Sequence, residues 1–309
     1  MTIVTEPVDR AGEQRARLTV ADGRVLEVYL TGWQTTPDDA PVLVHHHGTP
    51  GCGRLSQVLR AGAATLGLRV ISPTRPGYGG STRRPGRDVA AVADDVRQVL
   101  DALGVTRAVV TGESGGGPHA LATAALLPDR CPAVATLAGV GPHGVPELDF
   151  TAGMGQDNIE EFGAARDGET TLRPYLDDQR VQLAGVSAET IAQGLASLLP
   201  PVDRALVTGA MADDIVSAFT EALAPGVDGW LDDDLAFVRP WGFDLAALRS
   251  ARVFIWQGDQ DLMVPAAHGR WLCRAIPGAQ PRLSPDDGHL SIAHTRLAQV
   301  LGELLAALG

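Results

Sequence analysis

The chain of 309 residues contains no lysine, so every basic side chain apart from histidine is an arginine. This excludes a lysine Schiff base, a pyridoxal phosphate anchor and the lysine of a phosphate-binding P-loop. The three cysteines (Cys52, Cys131 and Cys273) are scattered along the chain and have neither a zinc-binding spacing nor the pattern of a disulfide framework. A reduced, cytoplasmic protein is therefore the simplest interpretation of the cysteine content.

Long apolar runs and an excess of positive charge are also missing. The longest apolar stretches, such as residues 133–138, are far shorter than the about 20 residues of a membrane span, and residues 1–17 contain no apolar segment typical of a secretory signal. The net charge of −12 argues against binding to nucleic acid. We therefore expect a small-molecule substrate rather than a membrane or nucleic acid partner, and the sequence leaves open whether the chain forms a homodimer.

Apolar strand-like and amphipathic helix-like segments alternate along much of the chain. After a hairpin over 17–30, strands are predicted at 41–45, 68–72, 107–111, 133–140, 253–256 and 280–284, and helices at 55–66, 89–103, 116–127, 266–275 and 291–308. This alternation predicts an α/β fold, with a mostly parallel twisted sheet and helices on both faces.

The alternation is interrupted in the middle of the chain. From about 144 to 243 the pattern is helical, with helix-like runs at 156–165, 188–199 and 213–223. We therefore predict a core domain over 1–143 and 244–309, and an inserted all-helical cap over 144–243. The cap carries about 18 acidic residues against five arginines, so the net negative charge of the chain lies there.

The sharpest motif is the segment TGESGGG at 111–117, which contains G-x-S-x-G between a predicted strand and a predicted helix. Such a strand-to-helix turn is tight, and Gly112 and Gly116 leave room for the backbone on both sides of the serine. The turn should expose the Ser114 hydroxyl at the carboxyl edge of the sheet. It also places the Gly115 N–H at a helix N-terminus, which favours an anion.

A serine nucleophile needs a base, and the base needs an acid to orient it. Downstream of Ser114 lie His119, His143, His268, His289 and His294. We assign His289 as the base, because the pattern predicts that it lies in a loop between the last strand and the last helix, over the sheet edge. For the acid we choose Asp261, which follows a strand, over its neighbour Asp259, for which we expect a role in bracing the turn.

Three consecutive histidines, His45 to His47, raise the question of a metal site. Alternate residues of a strand point to opposite faces, so the three side chains cannot face one ion, and no separate Cys/His cluster completes a ligand set. We therefore predict no metal and no cofactor.

Together these segments resemble the α/β-hydrolase superfamily, in particular its capped serine hydrolases. The resemblance rests on the GESGG turn, the HGTPG segment at 47–51, RPGYGGS at 75–81, GDQDLMVP at 258–265 and DGH at 287–289, which occur in the family's order. In this family the aspartate of G-x-x-D-x-x-V-P is the triad acid, which corresponds to Asp261. The resemblance further implies that the residue after the H-G pair, Thr49, supplies an oxyanion-hole N–H together with Gly115, and that His47 holds this loop by hydrogen bonds.

The resemblance implies acyl transfer through a Ser114–His289–Asp261 triad on a small ester, a lactone or a related substrate. A serine nucleophile argues against dehalogenase or epoxide hydrolase chemistry, for which the family uses an aspartate. Proline iminopeptidases share the HG-x-PG loop and the acidic cap, which could bind an N-terminal amine, but they usually carry tryptophan where this chain has Gly115. Perhydrolase activity, carbon–carbon bond hydrolysis and a small-ligand-binding protein with little turnover also remain open.

Overall fold

The computed structural model describes residues 3–8, 12–184 and 186–308. The strands in this part of the chain are β1 (Ile3–Pro7), β2 (Glu13–Thr19), β3 (Val25–Thr31), β4 (Val42–His46), β5 (Arg69–Pro73), β6 (Val109–Glu113), β7 (Ala133–Leu137), β8 (Arg252–Gly258) and β9 (Gln280–Ser284). They form one sheet in the order β1-β2-β3-β5-β4-β6-β7-β8-β9. Strands β1, β2, β3 and β5 pair antiparallel, and all pairs from β5 to β9 across the sheet are parallel. The predicted mostly parallel α/β fold is confirmed.

The helices of the described residues are α1 (Gln57–Thr65), α2 (Ala91–Ala102), α3 (Gly116–Leu126), α4 (Gln156–Asp167), α5 (Glu169–Ala184), α6 (Ile191–Gly194), α7 (Pro201–Arg204), α8 (Gly209–Ala222), α9 (Asp228–Phe237), α10 (Ala266–Ala275), α11 (His289–Thr295) and α12 (Leu297–Ala306), with a 3₁₀ turn at Leu245–Ser250. None of them is long and apolar enough to cross a membrane.

The parallel strands are apolar on both faces because helices cover both sides of the sheet. On one side, Val44 and Val110 pack with apolar residues of α2 and α3, and Val96 and Leu121 are fully buried there. On the other side, Leu43 belongs to a second apolar cluster that includes residues of α1 and α12. Burial of this apolar surface on both faces is the main favourable contribution to the stability of such a sheet.

Six helices, α4 to α9, lie between β7 and β8, as expected for a helical insertion in the sheet. The division into a core and a cap remains a prediction. The local pattern missed α5, α7 and α9 as well as strand β1, and the helix predicted at 188–199 is reduced to the four residues of α6. The predicted final helix over 291–308 is two helices, which meet at Arg296.

Strand register determines which loops meet. In the parallel part of the sheet, His46 at the end of β4 pairs with Gly112 near the end of β6, and Gly258 at the end of β8 pairs with Ser284 at the end of β9. The loops that follow these strands therefore leave the sheet at one edge. This carboxyl edge is where ligands bind in open α/β sheets.

Candidate active site

Ser114 lies on the sharp turn between β6 and α3, in the left-handed region of backbone conformation with φ of 53°. The turn leaves no space beside it: a Cβ atom on Gly112 would lie 2.2 Å from the Gly116 oxygen, and one on Gly116 would lie 2.2 Å from the His46 oxygen. Both glycines are thus required by backbone packing. The strained conformation is characteristic of a residue that the surrounding structure holds in place for function.

The loop after β4 packs directly against this turn. A Cβ on Gly48 would lie 3.5 Å from the Ser114 Cβ, and one on Gly115 would lie 2.3 Å from the Thr49 hydroxyl. Among the hydrogen bonds of the described residues, neither the Thr49 N–H nor the Gly115 N–H donates to a protein acceptor. The structure therefore brings the two predicted oxyanion donors together beside Ser114, with both N–H groups available.

The three consecutive histidines have separate hydrogen-bond partners. The His45 ring bonds to the Thr111 hydroxyl and the His46 ring to the Thr123 hydroxyl, each at 3.0 Å. His47 Nε2 accepts the backbone N–H of Arg75 at 3.1 Å, so His47 Nδ1 carries the proton and donates to the Gly48 oxygen at 2.7 Å. Burial lowers the pKa of His47 well below its usual value, which keeps this neutral tautomer in place.

His47 therefore holds the loop by hydrogen bonds, as expected. No group of three or more His, Cys, Asp or Glu side chains among the residues described here is placed to hold a metal ion.

Asp261 and His289 meet at the carboxyl edge of the sheet. His289 Nδ1 lies 2.8 Å from Asp261 Oδ2, and the Asp261 side chain is fully buried. The other carboxylate oxygen, Oδ1, accepts the backbone N–H groups of Met263 and Val264, each at 2.8 Å. These two bonds fix the orientation of the carboxylate, so that Oδ2 faces the imidazole; Oδ2 also accepts the Gln257 side-chain N–H at 3.0 Å.

His289 is the first residue of α11, so the prediction that it lies in a loop is wrong. The physical reason is a cap that only the tertiary structure provides: the carboxylate of Asp203, from α7, accepts the backbone N–H groups of His289 at 2.7 Å and Ser291 at 2.9 Å. Burial alone would lower the pKa of His289, but Asp261, with a smaller contribution from Asp203, raises it above its usual value.

Of the other residues considered from the sequence, His268 and Asp259 have clear structural partners. His268, buried in α10, accepts the Gly141 N–H and bonds to the Phe150 oxygen, and burial lowers its pKa to about 4. Asp259 pairs with Arg270 at 2.7 Å, in agreement with the expected bracing role. The remaining histidines are His119, buried in α3, His143, against the Phe150 ring, and His294, in α11.

A cavity of about 480 Å³ opens over Ser114 and is bounded on the far side by the inserted helices. Ser114, Thr49, Gly115 and His289 all line it. Most of its remaining wall is apolar and comes from Leu137, Val140, Phe162, Leu183, Leu198, Met211, Ile215, Phe219, Trp230, Phe237 and Met263. Its volume suits a small organic molecule.

Among the carboxyl groups that line this mostly apolar cavity, Glu161 from α4 and Asp234 from α9 lie next to each other. Asp234 is fully buried, and neither of its oxygens accepts a hydrogen bond from an N–H or O–H donor of the described residues. Glu161 Oε1 accepts the Trp230 indole N–H at 2.8 Å. Burial raises the pKa of both carboxyls, and the nearby Glu161 charge raises that of Asp234 further.

Asp234 belongs to a run of three aspartates, Asp232 to Asp234, within α9. Successive residues of a helix point about 100° apart, so the three carboxylates face different surroundings. Asp232 pairs with Arg83, Asp233 pairs with the buried Arg75, and Asp234 faces the cavity. The sequence showed an acidic insertion, but it did not identify these residues, because their partners lie far away in the chain.

Comparison with known proteins gives one family and several distant relatives. A family model described as "alpha/beta hydrolase fold" matches residues 41–293. Epoxide hydrolase A of Mycobacterium tuberculosis is 29% identical over 230 residues, which is 72% of this chain and 63% of that protein. The bifunctional esterase/perhydrolase DCH of Acinetobacter calcoaceticus is 34% identical over 126 residues, 40% of this chain and 44% of the relative. The chain thus spans less than two thirds of the length of either relative.

Among solved structures, a bromoperoxidase from Bacillus anthracis superposes with a TM-score of 0.68 and 20% identity, covering 94% of this chain and 99% of the other. At this level of identity the likeness concerns the fold alone.

Proposed function

Because this chain belongs to the alpha/beta hydrolase fold family, we propose that it is a serine hydrolase that acts through an acyl-enzyme intermediate. Ser114 is the nucleophile, His289 the general base and Asp261 the residue that orients the imidazole. The observation that carries the proposal is the 2.8 Å contact between His289 and Asp261 at the wall of the cavity that Ser114 lines. A nucleophile, a base and an orienting acid are the three parts of a triad.

The reaction follows from this arrangement. The Ser114 hydroxyl attacks the carbonyl carbon of the substrate as its proton passes to His289 Nε2. The carbonyl oxygen becomes an oxyanion, which accepts hydrogen bonds from the N–H groups of Thr49 and Gly115. The intermediate collapses, the leaving oxygen takes the proton from His289, and the alcohol departs. Water then attacks the acyl-enzyme with His289 as base, which releases the acid and restores Ser114.

The nucleophile decides between reactions that are possible on this fold. Epoxide hydrolase A is a relative, but the family resemblance assigns epoxide opening to an aspartate nucleophile, and the turn residue here is Ser114. The partial relative named esterase/perhydrolase agrees better with a serine. We therefore place a small ester or lactone first among substrates, with perhydrolase activity and carbon–carbon bond hydrolysis as alternatives that use the same triad.

The test of the proposed function is covalent labelling followed by an assay. A fluorophosphonate probe should label the protein at Ser114, located by mass spectrometry of the labelled peptide, and p-nitrophenyl acetate should be hydrolysed. Absence of both labelling and turnover would favour the alternative of a small-ligand-binding protein. Labelling at another residue would contradict the assignment of Ser114.

A second candidate function, aminopeptidase activity, is favoured by the acid pair Glu161 and Asp234. The two carboxyls lie side by side in a cavity whose wall is mostly apolar, and neither Asp234 oxygen has a hydrogen-bond partner among the described residues, so the ammonium group of an N-terminal amine would bind between them. A charge of this kind is favourable in a buried site only next to an opposite charge. The substrate in this case would be a short peptide or amide with a free N-terminus.

We expect Glu161→Gln and Asp234→Asn to reduce cleavage of prolyl-p-nitroanilide at least about tenfold, while hydrolysis of p-nitrophenyl acetate, which has no cation, changes little. The matched control is Glu160→Gln, since Glu160 is the exposed neighbour on α4. If the wild-type protein cleaves the ester and leaves the prolyl substrate intact, the aminopeptidase function is excluded.

A further inference from the structure

A buried ion pair connects the inserted helices to the loop that carries Thr49. Arg75, which follows β5, and Asp233, on α9, lie 158 residues apart in the sequence, and both side chains are fully buried. Arg75 donates from its terminal nitrogen to Asp233 Oδ2 at 2.7 Å and from Nε at 3.1 Å. A buried guanidinium is tolerated only next to an opposite charge, so Asp233 keeps Arg75 in this position.

The terminal nitrogens of Arg75 also contact the loop. Nη1 donates to the backbone oxygen of His47, and Nη2, the nitrogen that binds Asp233, shares its two hydrogens with the Gly48 oxygen at 2.8 Å and the Thr49 hydroxyl at 2.9 Å. The Thr49 hydroxyl in turn donates to Asp233 Oδ2 at 2.7 Å. One guanidinium and one carboxylate therefore bind three successive residues of the loop.

The hydrogen bonds to the Gly48 oxygen, from Arg75 at 2.8 Å and from His47 Nδ1 at 2.7 Å, determine the direction of the proposed oxyanion donor. The Gly48 oxygen and the Thr49 N–H belong to one peptide unit, which is trans and planar, so they point in opposite directions. With the oxygen held by Arg75, the Thr49 N–H must point away from Arg75. Rotation of this peptide would turn the donor out of its position.

Asp233 is the centre of the arrangement. It also accepts hydrogen bonds from Arg87 at 2.6 Å and Tyr78 at 3.0 Å. Burial alone would raise the pKa of the Asp233 carboxyl, but Arg75 and Arg87 outweigh it and hold the pKa well below its usual range. The carboxylate therefore stays charged.

We propose that Asp233 is a positioning residue, which holds the oxyanion loop through Arg75 and makes the inserted helix α9 a structural part of the catalytic machinery. The inference rests on the proposed serine hydrolase function, whose oxyanion the Thr49 N–H stabilises. It explains why a fully buried carboxylate and guanidinium are placed at the junction of α9 and the loop after β4.

The test compares Asp233→Asn with the matched control Asp232→Asn on p-nitrophenyl acetate and on its thionoester analogue. Sulfur accepts N–H hydrogen bonds more weakly than oxygen, so the preference for the oxygen ester reports on the oxyanion donors. We expect Asp233→Asn to lower kcat for the oxygen ester by about 10- to 100-fold, with little change in KM. This decrease is smaller than the about 10²- to 10³-fold decrease in kcat that follows complete removal of one oxyanion donor. The oxygen-to-sulfur preference should fall by a similar factor, whereas Asp232→Asn, which affects only the pair with Arg83, should retain it.

Thr49→Val provides a second measurement if Asp233→Asn does not fold, because it removes the hydroxyl link to Asp233 and keeps the Thr49 backbone N–H. It should lower the oxygen-to-sulfur preference in the same direction. The inference is overturned if folded Asp233→Asn, verified by circular dichroism, loses activity equally on both esters or loses none. A wild-type protein that resists the fluorophosphonate probe would refute the proposed function itself.

Discussion

Replacing Ser114 by alanine should lower kcat for p-nitrophenyl acetate by about 10⁶-fold, the largest effect of any single change in the chain. The methyl group cannot attack the carbonyl, so the acyl-enzyme does not form and only the oxyanion donors and binding contacts contribute. The fold should persist, because alanine is smaller than serine and adds no atom to the closely packed turn between Gly112 and Gly116. Steady-state kinetics, together with loss of fluorophosphonate labelling, measure this result.

Ser56→Ala is the matched control for this experiment. Ser56 lines the same cavity, but its hydroxyl accepts the Leu59 N–H as the N-cap of α1. Loss of such a cap lowers the free energy of unfolding by about 1 kcal/mol and should leave kcat within about twofold. Ser114→Ala activity within tenfold of the wild type would mean that another residue is the nucleophile.

The second large effect is expected for Asp261→Asn, which should lower kcat by about 10⁴-fold. The backbone N–H groups of Met263 and Val264 bind Oδ1, so an asparagine at this position keeps its oxygen there and turns its amide NH₂ toward His289. His289 Nδ1 must then accept rather than donate, which places the proton on Nε2. The imidazole in this tautomer cannot take the Ser114 proton.

The pH dependence gives an independent check on this variant. Asp261 raises the pKa of His289 against the opposing effect of burial. The base must be neutral, so activity increases with pH through the pKa of His289, and loss of the Asp261 charge should move this acidic limb to lower pH. Asp259→Asn is the matched control, because Asp259 pairs with Arg270 at the surface. An unshifted limb, or an equal loss in both variants, would argue against Asp261 as the orienting acid.

The local sequence pattern was sufficient to predict those parts of the site that a single short segment forms. The strand-turn-helix around Ser114 needs only an apolar run, flanking glycines and a helix-forming segment, all within about 20 residues, and the structure has this turn with φ of 53° at Ser114. The order of strands and helices in the core could likewise be predicted from periodicity, because the hydrophobic pattern of each segment identifies it as a strand or a helix. The roles of Ser114, Asp261 and His289 remain predictions that the experiments above test.

Local pattern failed where a distant partner decides the structure. The start of α11 at His289 depends on the carboxylate of Asp203, which lies 86 residues earlier in the chain. The local pattern did not predict helix α9, because its run of aspartates contains little apolar periodicity. In the structure, Asp232 and Asp233 each pair with an arginine of the core, which neutralises their charge.

The amino-acid sequence by itself therefore determined the α/β architecture and the turn that exposes Ser114. Only the tertiary structure decided how the inserted helices meet the core: Asp233 against Arg75, Asp203 against the start of α11, and the acid pair Glu161 and Asp234 in the cavity. The physical reason is that hydrophobic periodicity is a property of a few neighbouring residues. A buried charge, in contrast, is stabilised only by an opposite charge or by hydrogen-bond donors, and here these come from distant parts of the chain.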